Sequence, residues 1–173
     1  MKRFLCVLGL AAVLGGCGIE SEPTLLERAE HPDLSDKKTF DKIVAKAISI
    51  YKVQLRGETY HLPNTEAGYS GWIKQSQGSN QGYIVFLFRV KDGKKDGVYQ
   101  RWYVNGQKEK EGTYKDGKME GLWTEWHENG QKRRKWNFKD GKPHGVYRAW
   151  NEDGKLSFEA TNKNGELISN KKY

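Results

Sequence analysis

From residue 92 onward, large apolar residues alternate with polar ones in short runs, and Asn-Gly or Asp-Gly pairs separate the runs. The pairs fall at Asp92-Gly93, Asn105-Gly106, Asp116-Gly117, Asn129-Gly130, Asp140-Gly141, Asp153-Gly154 and Asn164-Gly165, with spacings alternating between 13 and 11 residues. Alternation is the period of a half-buried strand. The dipeptides tolerate the positive φ angles of a type I′ turn, so each is a hairpin signal. Seven in step predict an antiparallel meander with a 24-residue unit, complete copies opening at Asp92, Asp116 and Asp140 and a partial one at Asn164.

The pattern also predicts a register. A two-residue turn at Asn105-Gly106 pairs positions whose numbers sum to 211, placing Gly97 opposite Tyr114 and Tyr99 opposite Gly112. In the second unit the same rule sets Gly121 against Phe138, Trp123 against Trp136 and Glu125 against Arg134. A ring covering a cross-strand glycine stabilises a sheet. In the third unit Phe158 gains a ring and faces the small Ala149, a compensation in size that supports the pairing. One face then carries Tyr99, Tyr114, Trp123, Trp136, Phe138, Tyr147 and Phe158 and is expected to pack. The other carries Val98, Leu122 and Val146 with Trp102, Trp126 and Trp150, beside Glu109, Arg133 and Lys135.

Upstream the period changes. Phe40, Ile43, Val44, Ala47 and Ile48 recur at the spacing of one helical face, predicting a short helix over 36–47 capped by Asp36. Tyr51, Val53 and Leu55 then alternate with polar residues, a strand signal running into Arg56-Gly57-Glu58. Residues 39–59 are read as this helix and its leading strand, 60–91 as a degenerate first repeat, and 92–173 as the regular array. In 60–91 the expected Asn-Gly turn is replaced by Gln77-Gly78-Ser79-Asn80-Gln81-Gly82.

The residues before this helix belong to neither pattern. Lys2 and Arg3 precede an apolar run from Phe4 to Leu14, too short for a bilayer span of about 20 residues. It ends in Leu14-Gly15-Gly16-Cys17, which resembles the lipobox of bacterial lipoproteins. That resemblance implies a signal peptide at 1–16 and Cys17 as the lipidated N-terminus, carrying diacylglyceryl and acyl (palmitate-type) chains. Each buried methylene contributes about 0.8 kcal/mol to membrane attachment. Residues 17–38 mix Glu, Ser, Pro and Asp and read as a flexible tether, with a coil reach on the order of 25 Å. Gly18 stands where an aspartate would favour inner-membrane retention, so the expected address is the cell envelope, at the periplasmic face of the outer membrane or the cell surface.

Composition sharpens these readings. Hydrophobic residues make up 36% while Trp, Tyr and Phe reach 12% with 20 glycines, a profile for short strands and a thin sheet. The net charge of +8, or +6 without Lys2 and Arg3, suits acidic partners. The cysteines are Cys6 and Cys17, so loss of the leader leaves no internal disulfide.

The units run Gly, aromatic, two residues, aromatic, Asn-Gly, then an aromatic before Asp-Gly-Lys, as in Gly97-Val98-Tyr99-Gln100-Arg101-Trp102 and Asp116-Gly117-Lys118. This resembles the bacterial MORN-repeat variant family over about 92–165. Tyr60 to Thr65 and Tyr69-Ser70-Gly71-Trp72 resemble its opening repeat. Some members are labelled antitoxin components of toxin and antitoxin systems, and related repeats serve as interaction scaffolds. Choline-binding cell-wall modules also string Trp, Tyr and Gly periodically, but the 24-residue period and Asp-Gly-Lys turns fit them poorly.

Catalytic signatures are lacking. His31, His61, His127 and His144 show no metal-ligand spacing, and no GxSxG, GxxxxGK or HExxH sequence occurs. Glu125 and His127 share a strand face, but His127 fills an ordinary repeat slot occupied elsewhere by Tyr103 and Asn151, which reads as a solvated position. No catalytic residue, metal or cofactor is expected.

The candidate binding residues are Trp102, Trp126 and Trp150 with Arg133 and Lys135, and Arg133 is placed opposite Trp126 for a cation–π contact. The tryptophans recur about 9.6 Å apart, too far to stack on one another. Two uses stand open for them, packing and ligand binding. The reading is a mainly β, elongated meander of MORN-like hairpins with a short N-terminal helix. Its expected role is that of a membrane-anchored, non-catalytic interaction module, possible partners being a toxin, an envelope protein or an acidic polymer, but not nucleic acid. The alternative is a glycan- or cell-wall-binding lipoprotein that uses the tryptophan ladder.

Overall fold

A computed structural model describes residues 32–78 and 83–173. The leader at 1–16, Cys17 and most of the tether lie outside the described residues.

The helix forms where its periodicity placed it. Helix α1 spans Lys37–Lys46, and the Asp36 carboxylate accepts the Thr39 amide at 2.7 Å, satisfying one of the unpaired donors of the first turn. The chain then makes strand β1, Ile48–Ser49, and a 3-10 turn at Ile50–Lys52. This corrects the expected strand through Tyr51. The Ser49 hydroxyl caps the turn by accepting the Tyr51 amide, Ile48 and Ile50 turn into the core, and Tyr51 is left exposed. Strand β2, Gln54–Arg56, pairs with β3, Thr59–His61, in a two-stranded sheet of their own. The end of the entry segment and the start of the degenerate repeat therefore form a separate hairpin and not a rung of the meander.

The meander runs through β4 (Gly71–Gln77), β5 (Tyr83–Lys91), β6 (Lys94–Trp102), β7 (Lys108–Lys115), β8 (Lys118–Trp126) and β9 (Lys132–Lys139). It continues through the short β10 (Lys142–Pro143), β11 (Gly145–Trp150), β12 (Leu156–Lys163) and β13 (Glu166–Lys172). The neighbours pair antiparallel, with β10 and β11 both against β9, while β1 adds a parallel edge beside β4.

The register agrees with the sums. Gly97 faces Tyr114, Tyr99 faces Gly112, Trp123 faces Trp136, Glu125 faces Arg134 and Phe158 faces Ala149. The turns are of two kinds, however. Asp92-Gly93, Asp116-Gly117, Asp140-Gly141 and Asn164-Gly165 have both residues at positive φ, as a two-residue type I′ turn requires. At Asn105-Gly106, Asn129-Gly130 and Asp153-Gly154 only the glycine does. There the Gly106 amide donates to the Tyr103 carbonyl at 3.0 Å and the Tyr103 amide to the Gln107 carbonyl at 2.8 Å, closing a three-residue loop. A bulge next to each such loop restores the count, so Trp102 faces Lys108 while Arg101 faces Lys110.

The glycines also divide. A Cβ on Gly112 would stand 2.1 Å from Trp123 Cδ2, so the indole lies directly on that backbone. A Cβ on Gly121 would meet nothing within 4 Å, so the ring cover expected there from Phe138 is not present. Gly121 serves the backbone instead, at φ 65°, where the register between β7 and β8 shifts.

The core sits at the β4–β6 end. Ile73, Phe88 and Val90 are buried, with Ile48, Ile50, Val53, Tyr60, Tyr69 and Tyr99 against them. Lys74, pointing to the opposite face from Ile73, donates to the Val44 carbonyl of α1 at 2.7 Å. The helix thus covers one face of the sheet and the β2–β3 hairpin the other. Among the described residues, strands β9 to β13 carry no such second layer.

Candidate functional site

Both faces of the repeat sheet present side chains in rows, and the rows differ in chemistry. On the expected packed face, ring centres 5.0–6.4 Å apart run from Tyr99 through Tyr114, Trp123, Phe138, Trp136 and Tyr147 to Phe158. Most pairs meet edge to face or tilted, the arrangements favoured by the ring quadrupole. Trp123 is fully buried, and its indole N–H donates to the Thr113 carbonyl at 3.2 Å.

Two lysines lie on this face. The Lys95 ammonium stands over Phe88, Tyr99 and Tyr114, and the Lys110 ammonium over Trp123 and Trp136. Lys110 also pairs with Glu125 at 3.1 Å, and Glu125 with Arg134 at 3.5 Å. Burial, aided by the charge of Lys110, holds the Lys95 ammonium below the usual lysine range. Burial likewise pushes the Tyr114 phenol up to about 12. Sequence reasoning missed both lysines. Their signal was a basic residue at a ring-bearing position of the alternation.

The tryptophan face divides into a covered and an open part. Trp102 packs edge-on against Phe40 of α1, with centres 5.5 Å apart. Trp126 and Trp150 are half-buried, and the same strands carry Leu122 at 52% and Val146 at 43% exposure. The cation beside Trp126 is Lys108, 5.6 Å from the ring centre, and not Arg133. Arg133 is the extra residue of the bulge between β8 and β9, where Trp126 faces Lys132, so the alternation that put Arg133 opposite Trp126 fails at that point. Arg133 instead lines an open cavity with Tyr103, His127 and Glu152. Lys135 faces Thr124 on one side and Arg148 on the other, away from Trp123.

His127 is not the freely solvated group its slot suggested. Its Nε2 lies 3.0 Å from the Trp150 carbonyl, as the Tyr103 hydroxyl lies 2.7 Å from that of Trp126. Asn105 and Asn129 add donations to the Glu128 and Glu152 carbonyls. One end of the array is therefore laced from each hairpin to the next, 23 residues on.

The 24-residue hairpin, the ring ladder and the left-handed Asp-Gly turn are shared with a known repeat. Residues 95–116, 119–140 and 143–164 match the MORN repeat variant. The matched residues run from β6 to β12, and α1, β1 to β5 and β13 lie outside them. No curated protein and no solved structure matches the chain. Among the described residues there is no group of side chains able to hold a metal ion, and no helix long and apolar enough to cross a membrane.

Proposed function

We propose that the chain is a membrane-anchored lipoprotein whose MORN-repeat sheet is a non-catalytic interaction module for an envelope or toxin-type protein. The observation that carries this reading is the open part of the tryptophan face, where the half-buried Trp126 and Trp150 share strands β8 and β11 with the exposed Leu122 and Val146. Large rings and exposed aliphatic side chains on one face of a rigid sheet suit the centre of a protein contact. The anchor rests on the lipobox ending in Cys17. An antitoxin or immunity role is the narrower form of the same reading.

The test has two arms. Metabolic labelling with an alkynyl fatty acid should mark the wild type and not Cys17→Ser, and equal labelling of both would remove the anchor. A photo-crosslinking residue at position 122 in intact cells should give a discrete protein adduct that weakens in a folded Trp126→Ala variant. Lack of such an adduct would remove the interaction surface.

The second reading, binding of an acidic glycan, is favoured by Lys108 beside the Trp126 ring and by Lys135 on the same face. Salt-sensitive retention on isolated cell-wall material, lost in Trp126→Ala, would select it.

A further inference from the structure

Between the β2–β3 turn and strands β6 to β8 lies an open cavity of about 520 Å³, which the repeats alone would not form. Leu55, Tyr60 and Gly57 come from the hairpin side, and Lys95 and Tyr114 from the sheet. The Lys95 ammonium stands 5.2 Å from the centre of Phe88, 5.7 Å from Tyr99 and 5.0 Å from Tyr114. Among the described residues these rings are its partners, and no carboxylate or hydrogen-bond acceptor meets it. Lys110, placed over rings in the same way, has Glu125 at 3.1 Å. The contrast matters because an ammonium carries three donors, and ring faces attract its charge without offering the lone pairs those donors seek. A partly desolvated cation without a counter-ion leaves room for one to bind.

Other groups in the cavity fit the same ligand. Tyr60 and Tyr114 line the space, their hydroxyls have no hydrogen-bond acceptor among the described residues, and burial raises both phenols further above neutral pH, where they are donors. Lys94, Lys95 and Lys118 stand against Glu58 and Asp116, which leaves one positive charge in excess and suits a monoanion better than a dianion. The exposed Leu55 and the Tyr114 ring offer apolar walls.

The geometry points to a binding site for the carboxylate of an apolar or aromatic acid, with Lys95 as the cation, Tyr60 and Tyr114 as hydroxyl donors and Leu55 as the wall. The carboxylate belongs either to a free organic acid or to the end of a peptide with an apolar last residue. Ammonium–carboxylate and phenol–carboxylate hydrogen bonds are charge-assisted, and they gain strength where the cation is already partly out of water. The site is independent of the tryptophan face and of the anchor.

The full chain, purified in detergent and labelled with nitrogen-15, is titrated with phenylacetate, and separately with phenylacetamide of the same shape but no charge. A short peptide ending in phenylalanine, as free acid and as amide, forms the second pair. The acids should produce saturable shifts at the amides of Lys95, Tyr114 and Gly117, with the amides binding at least about tenfold more weakly. Lys95→Met keeps an apolar stem of similar length and should weaken acid binding about tenfold or more. Tyr114→Phe removes one hydroxyl and should weaken it severalfold, and it carries the test together with the amide controls if Lys95→Met fails to fold. Tighter binding of the peptide acid assigns the source to a protein terminus, and tighter binding of phenylacetate to a small molecule. Equal binding of acids and amides, unchanged affinity in folded Lys95→Met, or no saturable shift from either acid would overturn the site.

Discussion

Gly112 lies beneath the Trp123 indole with no room for a methyl group, while Gly106 sits in open space at φ 81°. The two positions separate the two reasons a repeat keeps a glycine. Alanine at 106 meets no atom and carries only the left-handed backbone penalty of about 1–2 kcal/mol. At 112 the backbone is ordinary, but the indole, itself buried and held by the Thr113 carbonyl, has nowhere to move. Overpacking of this kind costs about 1–3 kcal/mol, and here it would also disturb the contacts of Trp123 with Tyr99 and Tyr114. Gly112→Ala is therefore expected to lower stability by about 3 kcal/mol, more than Gly106→Ala, in urea denaturation. It should also shift the near-ultraviolet tryptophan signal, which Gly106→Ala should leave alone. Equal losses without a spectral change would mean that the ring does not rest on Gly112.

At the scale of elements, the sequence made legible what depends on period and pairing. The α1 face, the order of the repeat hairpins and the cross-strand partners away from the bulges were readable, since each follows from spacing alone. The turns at Asn105, Asn129 and Asp153 were not. There a three-residue loop and a one-residue bulge cancel in the count, so a two-residue turn predicts the right partners through the wrong local geometry. That cancellation is also why Arg133 was misplaced. Contacts between distant elements were out of reach, above all Phe40 on Trp102, because no local pattern says which end of a sheet a helix will cover. Phe40→Ala tests that contact. Half-burial of the ring makes the expected loss about 1–2 kcal/mol, smaller than for a fully buried phenylalanine. Helical signal near 222 nm should fall and tryptophan emission should move to the red as Trp102 is uncovered. A variant with unchanged emission would show that α1 does not cover that indole.

Across the whole molecule, burial is lopsided. Ile73, Leu87, Phe88 and Val90 are buried near the helix and the hairpin, whereas every residue of β13 is exposed and Ala160 is the buried residue of β12. In a repeat array each unit contacts mainly its neighbours, so stability builds from unit terms and interface terms and need not be uniform. Strands β4 to β6 have two covering layers, β7 and β8 have the ring row closed over Trp123, and β11 to β13 have strand pairing and half-buried rings alone. The amide hydrogens should therefore exchange in a gradient, slowest in β5 and β6 and fastest in β12 and β13. A difference of about a hundredfold or more between β5 and β12 is expected, since each 1.4 kcal/mol of opening free energy is tenfold. The Tyr103 and His127 bonds to the Trp126 and Trp150 carbonyls oppose this by tying successive hairpins together at one end. His127→Phe should consequently raise exchange in β11 and β12 while leaving β5 unchanged. Uniform protection from β5 through β12, moved as a block by His127→Phe, would mean that the array opens as one cooperative unit and that its uncovered half is as firm as its core.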